Sequence, residues 1–388
     1  MSNRVIINAK IVTPENIINN GVIVIENGRI ARFGSYENVK PPDNAEIIDV
    51  KGYYAAPGFI DIHCHGGGSE EFHTDPEVAA EAHLKHGTTS VLATIAYNVS
   101  KVDTIEGIKK IKELKNSGKG KSILGIHFEG PYTNPKYGAL SQLGRKPDPS
   151  EYNTFIDLAG DLIKVWTLAP ELEGIDDFIE TVSSKGIVMS VGHSEASPER
   201  IFELIPKGLK LACHCMNATG CSISPSRFGG TREVGVDEAV LLSDDIYAEV
   251  IPDYMGVHVR PLMLRLILKA KTPDKMIIIT DSTISDNKSH INNSPLNNSD
   301  FTKATDVNFN ELGQLSGSIL TMDKACRNML RHTGVGIVDV FKMASYNQAR
   351  LLNMEKEIGN IREGAKANII IVDDDINVKM VMLEGELV

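Results

Sequence analysis

The sequence predicts an α/β protein: a (β/α)8 barrel with a small all-β domain formed by both chain termini. Three observations predict it. Eight short apolar runs alternate with amphipathic helical stretches through the middle of the chain, the pattern of βα units wound into a parallel sheet. Both chain ends carry β-branched runs separated by turn residues, which read as hairpins. Residues capable of chemistry stand at the carboxyl ends of the apolar runs, and in a barrel those ends converge on one mouth.

The 388 residues suffice for one large barrel with a small appendage. We place the amino-terminal part of the small domain at 1–56, the barrel at 57–355 and the carboxyl-terminal part at 356–388. At the amino end, "RVIINAKIV" and "GVIVIENGRIARFG" are strands with Asn-Gly turns expected at Asn20-Gly21 and Asn27-Gly28. The last stretch, "GNIREGAKANIIIVDDDINVKMVMLEGELV", has the same texture. The two ends are expected to pair into one sheet domain.

In the barrel the strands are, in order, "GFIDIHCH", "TSVLATIA", "ILGIHFEG", "KVWTLAPE", "IVMSVGHS", "LKLACHCMN", "IYAEVIP" and "MIIITDS". Helical stretches such as "PEVAAEAHLKH", "VDTIEGIKKIKELK", "SPERIFELI" and "RPLMLRLILKAK" follow them. The Asn- and Ser-rich segment from Ser285 to Phe309 reads as a long polar loop after the eighth strand.

Composition excludes several classes. Hydrophobic content of 42% and charged content of 23% are ordinary for a globular protein. A net charge of -11 argues against nucleic-acid binding, which needs clustered Lys and Arg. No apolar stretch reaches the roughly 18 residues of a spanning helix, and "MSNRVIINAKIVTPENII" lacks the layout of a signal peptide. Five scattered cysteines do not make a disulfide framework. A cytoplasmic location is expected.

His63 and His65 end the first strand, Glu129 the third, His193 the fifth, His214 the sixth and Asp281 the eighth. Period-two alternation puts Asp61 on the face of the two histidines and turns Ile62 and Cys64 toward the helices. By the same rule Cys213 and Cys215 point away from the mouth, as packing residues. Four imidazoles and two carboxylates suit a divalent cation such as Zn, Fe, Mn or Co, one or two per chain. Asp281, after the apolar "MIIIT", must be paired, metal-bound or catalytic; beside an activated water it is placed for general acid/base work. His127 shares the face of Glu129, as a supporting or packing residue. His73, His83, His86, His290 and His332 read as solvated.

These residues carry a resemblance. "PGFIDIHCHGGG", "GIHFEGPYTNP", "VGHSEAS", "HCMNATG", "ITDS" and "LSGSILTMDKA" together resemble the N-acetylglucosamine-6-phosphate deacetylases of the amidohydrolase superfamily, over nearly the whole chain. The resemblance implies a (β/α)8 barrel with a β-sandwich formed by both termini. It implies that Glu129, His193 and His214 bind the cation and that Asp281 shuttles the proton as an acetamide is hydrolysed to acetate and free amine. It further implies substrate contacts from Ala139, Leu140, Asn217, Ala218, Leu315, Ser316 and Gly317, a phosphate-binding role for Arg232 and a substrate-binding role for His258. Arg232 and His258 can serve the neighbouring subunit's site in the family, so a homodimer is implied, with a phosphorylated N-acetyl sugar as the small-molecule partner.

Two departures from the family pattern bear on the sugar. The family commonly has a carbonyl-polarising histidine where "KYGAL" places Leu140, and "IPDYMGVHV" is longer than the usual segment around His258. N-acetylgalactosamine-6-phosphate, or another N-acyl amino sugar, therefore competes as substrate. A cyclic-amide hydrolase and a non-catalytic scaffold are the readings from further away. Family members differ at the positions of His63 and His65; this chain keeps both, which predicts a second cation with Glu129 bridging.

Overall fold

The computed structural model of the protein describes residues 3–139, 141–222, 228–284, 305–310 and 312–388. The amino end forms β1 (Arg4–Val12), β2 (Ile17–Glu26), β3 (Arg29–Ser35), β4 (Glu46–Asp49) and β5 (Tyr54–Pro57). Strand and helix then alternate: β6 (Phe59–Cys64), the short pair β7 (Gly66–Gly67) and β8 (Glu70–Glu71), α1 (Pro76–Leu84), β9 (Thr88–Ala96), α2 (Lys101–Asn116), β10 (Ile123–Glu129) and α3 (Pro149–Ala159). The series continues with β11 (Ile163–Leu168), α4 (Ile175–Ser184), β12 (Val188–Val191), α5 (Pro198–Leu204), β13 (Leu209–Ala212), α6 (Val236–Leu242), β14 (Tyr247–Val250), α7 (Pro261–Lys271) and β15 (Met276–Ile278). A hairpin of β16 (Val307–Phe309) and β17 (Leu315–Ser318) precedes α8 (Met322–Thr333). Near the carboxyl end lie β18 (Ile369–Val372), β19 (Val378–Leu383) and β20 (Glu386–Leu387).

All eight apolar runs of the central region contain strands, side by side in the order β6-β9-β10-β11-β12-β13-β14-β15, with each pair parallel. Beyond β15 the chain bonds back to the first strand. The Asp281 amide donates to the His63 carbonyl at 2.9 Å, and the His65 amide donates to the Ser282 carbonyl at 2.7 Å. These bonds draw the sheet into a nearly closed barrel, the (β/α)8 architecture the sequence predicts.

The strand side chains divide between two cores. Ile60, Ile62, Leu92, Val165, Leu211 and Ile277 pack together inside the barrel. Phe59, Cys64, Trp166 and Ile278 instead join Ile108, Phe155 and Phe178 from the helices. Each of the aliphatic and phenylalanine side chains among them, fully buried, contributes about 1.5–3 kcal/mol relative to leaving it in water. The helices start where the sequence signals it: Asp75, Asp148 and Ser197 accept from backbone amides of the first turn, each just ahead of a proline.

The alternation expected along the first strand holds only in part. Asp61 lies with Cys64 and His83 on the outer face, and Ile62 faces the barrel interior. A register shift between Asp61 and Cys64 in the pairing with β9 is the cause. It lets His63 and His65 turn toward the mouth although the residues before them alternate the other way.

The strands from both chain ends share one separate sheet, ordered β20-β19-β18-β5-β1-β2-β3 with β4 beside β1. β5 joins the two ends, parallel to β1 and antiparallel to β18. Ile6, Ile23, Ile25, Ile369 and Ile371 form its core. Asn27 and Gly28, at φ 52° and 77°, make the expected two-residue turn between β2 and β3. Asn20-Gly21 is not a turn: both residues lie inside β2, opposite a register shift between Ala9 and Ile11. A Cβ on Gly21 would sit 2.5 Å from the Ile11 side chain, so the glycine serves this close approach.

Of the Asn- and Ser-rich segment, residues 285–304 lie outside the described residues, and its end forms β16. Among the described residues, no helix is long and apolar enough to cross a membrane.

Candidate active site

The carboxyl ends of β6, β10, β12, β13 and β15 bring His63, His65, Glu129, His193, His214 and Asp281 into one buried chamber. Glu129 Oε1 lies 2.8 Å from His193 Nε2 and 3.1 Å from His214 Nε2, and those two nitrogens are 3.1 Å apart. The other oxygen of the carboxylate is 3.4 Å from His65 Nε2. Asp281 Oδ1 stands 3.1 Å from His65 Nε2 and 3.5 Å from His63 Nε2. Glu129, His193, Cys213 and His214 bring ligand atoms within 4.8 Å of one another, and so do His63, His65 and Asp281. Glu129 stands between the two groups.

Backbone carbonyls orient two of the rings. His193 directs Nδ1 at the Tyr137 carbonyl, 3.0 Å away, and His214 directs Nδ1 at the Asn217 carbonyl, 3.2 Å away. Each contact places a proton on Nδ1 and turns Nε2 toward Glu129. His63 Nε2 is buried with no hydrogen-bond partner, 3.6 Å from Glu129. Nitrogen lone pairs and carboxylate oxygens converging this closely repel unless positive charge lies among them. Imidazole nitrogen with carboxylate oxygen is the donor set of a borderline divalent cation, and the residues fit such an ion.

The electrostatics agree. Burial opposes charge on His65, but its hydrogen bond to Asp281 and the charge of Glu129 outweigh that and push the ring up to about 9. His214 is likewise pushed up to about 9, against burial, by its hydrogen bond to Glu129 and by that residue's charge. Burial opposes ionisation of Glu129, yet the neighbouring His193 and His214 hold it well below the usual carboxylate range. The chamber therefore draws in positive charge.

His193, His214 and Asp281 adopt φ of 48°, 24° and 50°, a region sparsely populated by residues other than glycine. Such strain persists where the surroundings over-determine it, and it clusters at functional sites. The kink at His214 also overturns one expectation. β13 ends at Ala212, so alternation no longer governs Cys213, whose Sγ points inward, 3.7 Å from His63 Nδ1 and 4.0 Å from Glu129 Oε1. Cys215 packs outward, as expected.

Ala139, Asn217, Ala218, His258, Leu315, Ser316 and Gly317, all expected to contact substrate, line the mouth above the chamber. His258 is held within its own chain, Nδ1 3.1 Å from Asp253 Oδ2 and Nε2 3.1 Å from the Gly317 carbonyl. Arg232 does not line this mouth. It is exposed and paired with Glu238 at 2.5 Å. Leu140 lies outside the described residues.

Some functional candidates escaped sequence reasoning. Glu249, on β14, is fully buried with Oε2 3.1 Å from His63 Nδ1; an acid inside the apolar run "IYAEVIP" was the available signal. Tyr97, just beyond β9, packs over His193 with ring centroids 5.0 Å apart and donates to the Ala139 carbonyl. His127 is a packing residue: Nδ1 contacts the Ile62 carbonyl at 2.9 Å and Nε2 the Thr167 hydroxyl at 2.8 Å. His83 and His332 are not solvated. Both are buried, with Nε2 2.9 Å from the Gly66 and Asp253 carbonyls respectively, because each sits on the inner side of its helix. His73 is paired with Glu71 at 3.0 Å, His86 is exposed, and His290 lies outside the described residues.

An eight-stranded parallel barrel with imidazoles and carboxylates gathered at its carboxyl-end rim defines a hydrolase of the metal-dependent barrel class. More narrowly, the chain belongs to the amidohydrolase family, whose model matches residues 54–388; that family is metal-dependent. The chain is 30% identical to the N-acetylglucosamine-6-phosphate deacetylase of Bacillus subtilis (strain 168), over 97% of this chain and 95% of the relative. It is 26% identical to an N-acetylgalactosamine-6-phosphate deacetylase of Escherichia coli O157:H7, over 97% of each chain. The crystal structure of the N-acetylglucosamine-6-phosphate deacetylase from Pasteurella multocida superposes with a TM-score of 0.83 at 28% identity, covering 100% of this chain and 99% of that one.

Proposed function

We propose that this protein hydrolyses the acetamide of N-acetylglucosamine-6-phosphate, releasing acetate and glucosamine-6-phosphate. One observation carries the reading: Glu129, His193, His214 and Asp281 meet in a single chamber, in a chain similar to such deacetylases along nearly its whole length. Two cations per chain are proposed, one held by Glu129, His193 and His214 and the other by His63 and His65, with Glu129 shared. Zinc, iron, manganese and cobalt all suit these donors.

A bound divalent cation supplies Lewis-acid polarisation of the acyl carbonyl and a lower pKa for the attacking water. Asp281 does the proton work. Burial opposes its ionisation, but the surrounding positive charge at His65 and His63 outweighs that and holds the carboxyl below its ordinary range. It takes the proton as water oxygen bonds to the acetyl carbon, then delivers it to the amine nitrogen as the C–N bond breaks. The residues at the mouth, Ala139, Asn217, Ala218, His258, Leu315, Ser316 and Gly317, hold the sugar. Arg232, exposed on its own chain, is assigned to the substrate phosphate in a neighbouring subunit of a homodimer. Five cysteines scattered along the chain fit a reducing, cytoplasmic setting.

The galactosamine epimer is the second reading, favoured by the similarity to the Escherichia coli enzyme and by Leu140. Acetate release from metal-loaded protein over a panel of N-acetylhexosamine-6-phosphates tests both. The highest kcat/KM is expected on the gluco epimer. Preference for the galacto epimer transfers the proposal to that sugar, and no acetate from any member rejects the substrate class.

A further inference from the structure

Glu249 is fully buried on β14 and belongs to no part of the proposed reaction. Its Oε2 lies 3.1 Å from His63 Nδ1 and also accepts from the His214 amide at 3.3 Å, while its Oε1 is buried with no hydrogen-bond partner. A carboxylate held in place by a backbone amide, inside a barrel that already contains Glu129 and Asp281, is costly to keep without a role.

Its contact with His63 supplies one. A carboxylate only accepts, so His63 Nδ1 carries the proton and donates it to Glu249. The neutral ring then has its lone pair on Nε2, the atom that stands unpartnered 3.5 Å from Asp281 and 3.6 Å from Glu129. Without Glu249 the ring is free to take the other tautomer, with a proton on Nε2 where a cation would bind. Cys213 does not replace it. Its Sγ is 3.7 Å from Nδ1, farther than the Glu249 oxygen at 3.1 Å, and sulfur is a weak acceptor.

We propose that Glu249 is the positioning residue of the second cation position, fixing the tautomer and orientation of His63 so that Nε2, together with His65, receives the ion. The inference rests on the two-cation reading above.

The test is metal binding by the full-length protein. Wild type, Glu249→Ala and Glu249→Gln are stripped with a chelator and titrated with zinc by isothermal titration calorimetry, with elemental analysis of the loaded samples and a thermal melt of each stripped sample. Wild type is expected to take two ions per chain. In Glu249→Ala the first affinity is kept and the second weakens about 10- to 100-fold, the usual effect of removing a partner of a metal-binding histidine. Glu249→Gln, whose amide oxygen still accepts from Nδ1–H, recovers part of that loss and keeps the question answerable should the alanine variant melt early. Two ions bound equally tightly by wild type and both variants overturn the assignment of Glu249 alone. One ion in wild type overturns the two-cation reading, and this inference with it.

Discussion

His65 Nε2 and Asp281 Oδ1 stand 3.1 Å apart across the seam where the first and last strands of the barrel meet. The backbone bonds that close the barrel run through the same residues, from the Asp281 amide to His63 and from His65 to Ser282. Closure of the fold and placement of the proposed proton shuttle are therefore one event. Asp281→Asn keeps the size of the side chain but cannot accept the proton. Its kcat for acetate release is expected to fall about 10²- to 10⁴-fold with a near-native melting temperature. Wild-type turnover would remove Asp281 from the chemistry.

Gly138 sets the position of His193. At φ 101° a Cβ on this residue would lie 2.5 Å from His193 Nδ1, where the ring contacts the Tyr137 carbonyl. Gly138→Ala is expected to destabilise the fold by about 1–3 kcal/mol in denaturant melts and to lower metal content. Unchanged stability and metal content would show that the loop yields freely.

His83 makes stability depend on acid. Burial pushes its pKa down to about 4, below the roughly 6.5 of an unfolded histidine. The unfolded chain therefore binds a proton more readily than the folded one. The contribution is whole above pH 6.5 and is lost as pH falls toward 4, on the order of 3 kcal/mol in total. In His83→Gln the fall in unfolding free energy between pH 7 and pH 4 should be smaller by about that amount. Equal pH dependence in variant and wild type would mean that the ring titrates normally.

Arg232 is exposed and away from its own chain's mouth, yet it is assigned to the phosphate. Arg232→Ala should lower kcat/KM for the phosphorylated sugar about 10- to 100-fold, the worth of a charge-assisted hydrogen bond, mainly through KM. The unphosphorylated sugar should be nearly unaffected. Equal effects on both sugars would place the arginine outside phosphate recognition.

The strands and the ligand candidates were legible for one reason: His63, His65, Glu129, His193, His214 and Asp281 each follow an apolar run long enough to be recognised. What the sequence hid was the direction of side chains near irregular backbone. A register shift after Asp61 exchanges the faces of Asp61 and Ile62, and the end of β13 at Ala212 releases Cys213 inward. Alternation is a rule of regular strands, and the chemistry sits where the strands stop being regular. Glu249 escaped for another reason: its partner His63 is far away in sequence, on a strand that only the closed barrel brings near. Likewise the Asn20-Gly21 pair reads as a turn until Ile11 is seen packed against Gly21.

The proposed function depends on a cation-dependent deacetylase chamber at the barrel rim. Its most direct test is acetate release from N-acetylglucosamine-6-phosphate by chelator-stripped protein titrated with a divalent cation. No turnover is expected without the ion, with a rate that climbs until two ions per chain are bound. Full turnover by the stripped protein, or no acetate at saturating metal, would contradict it.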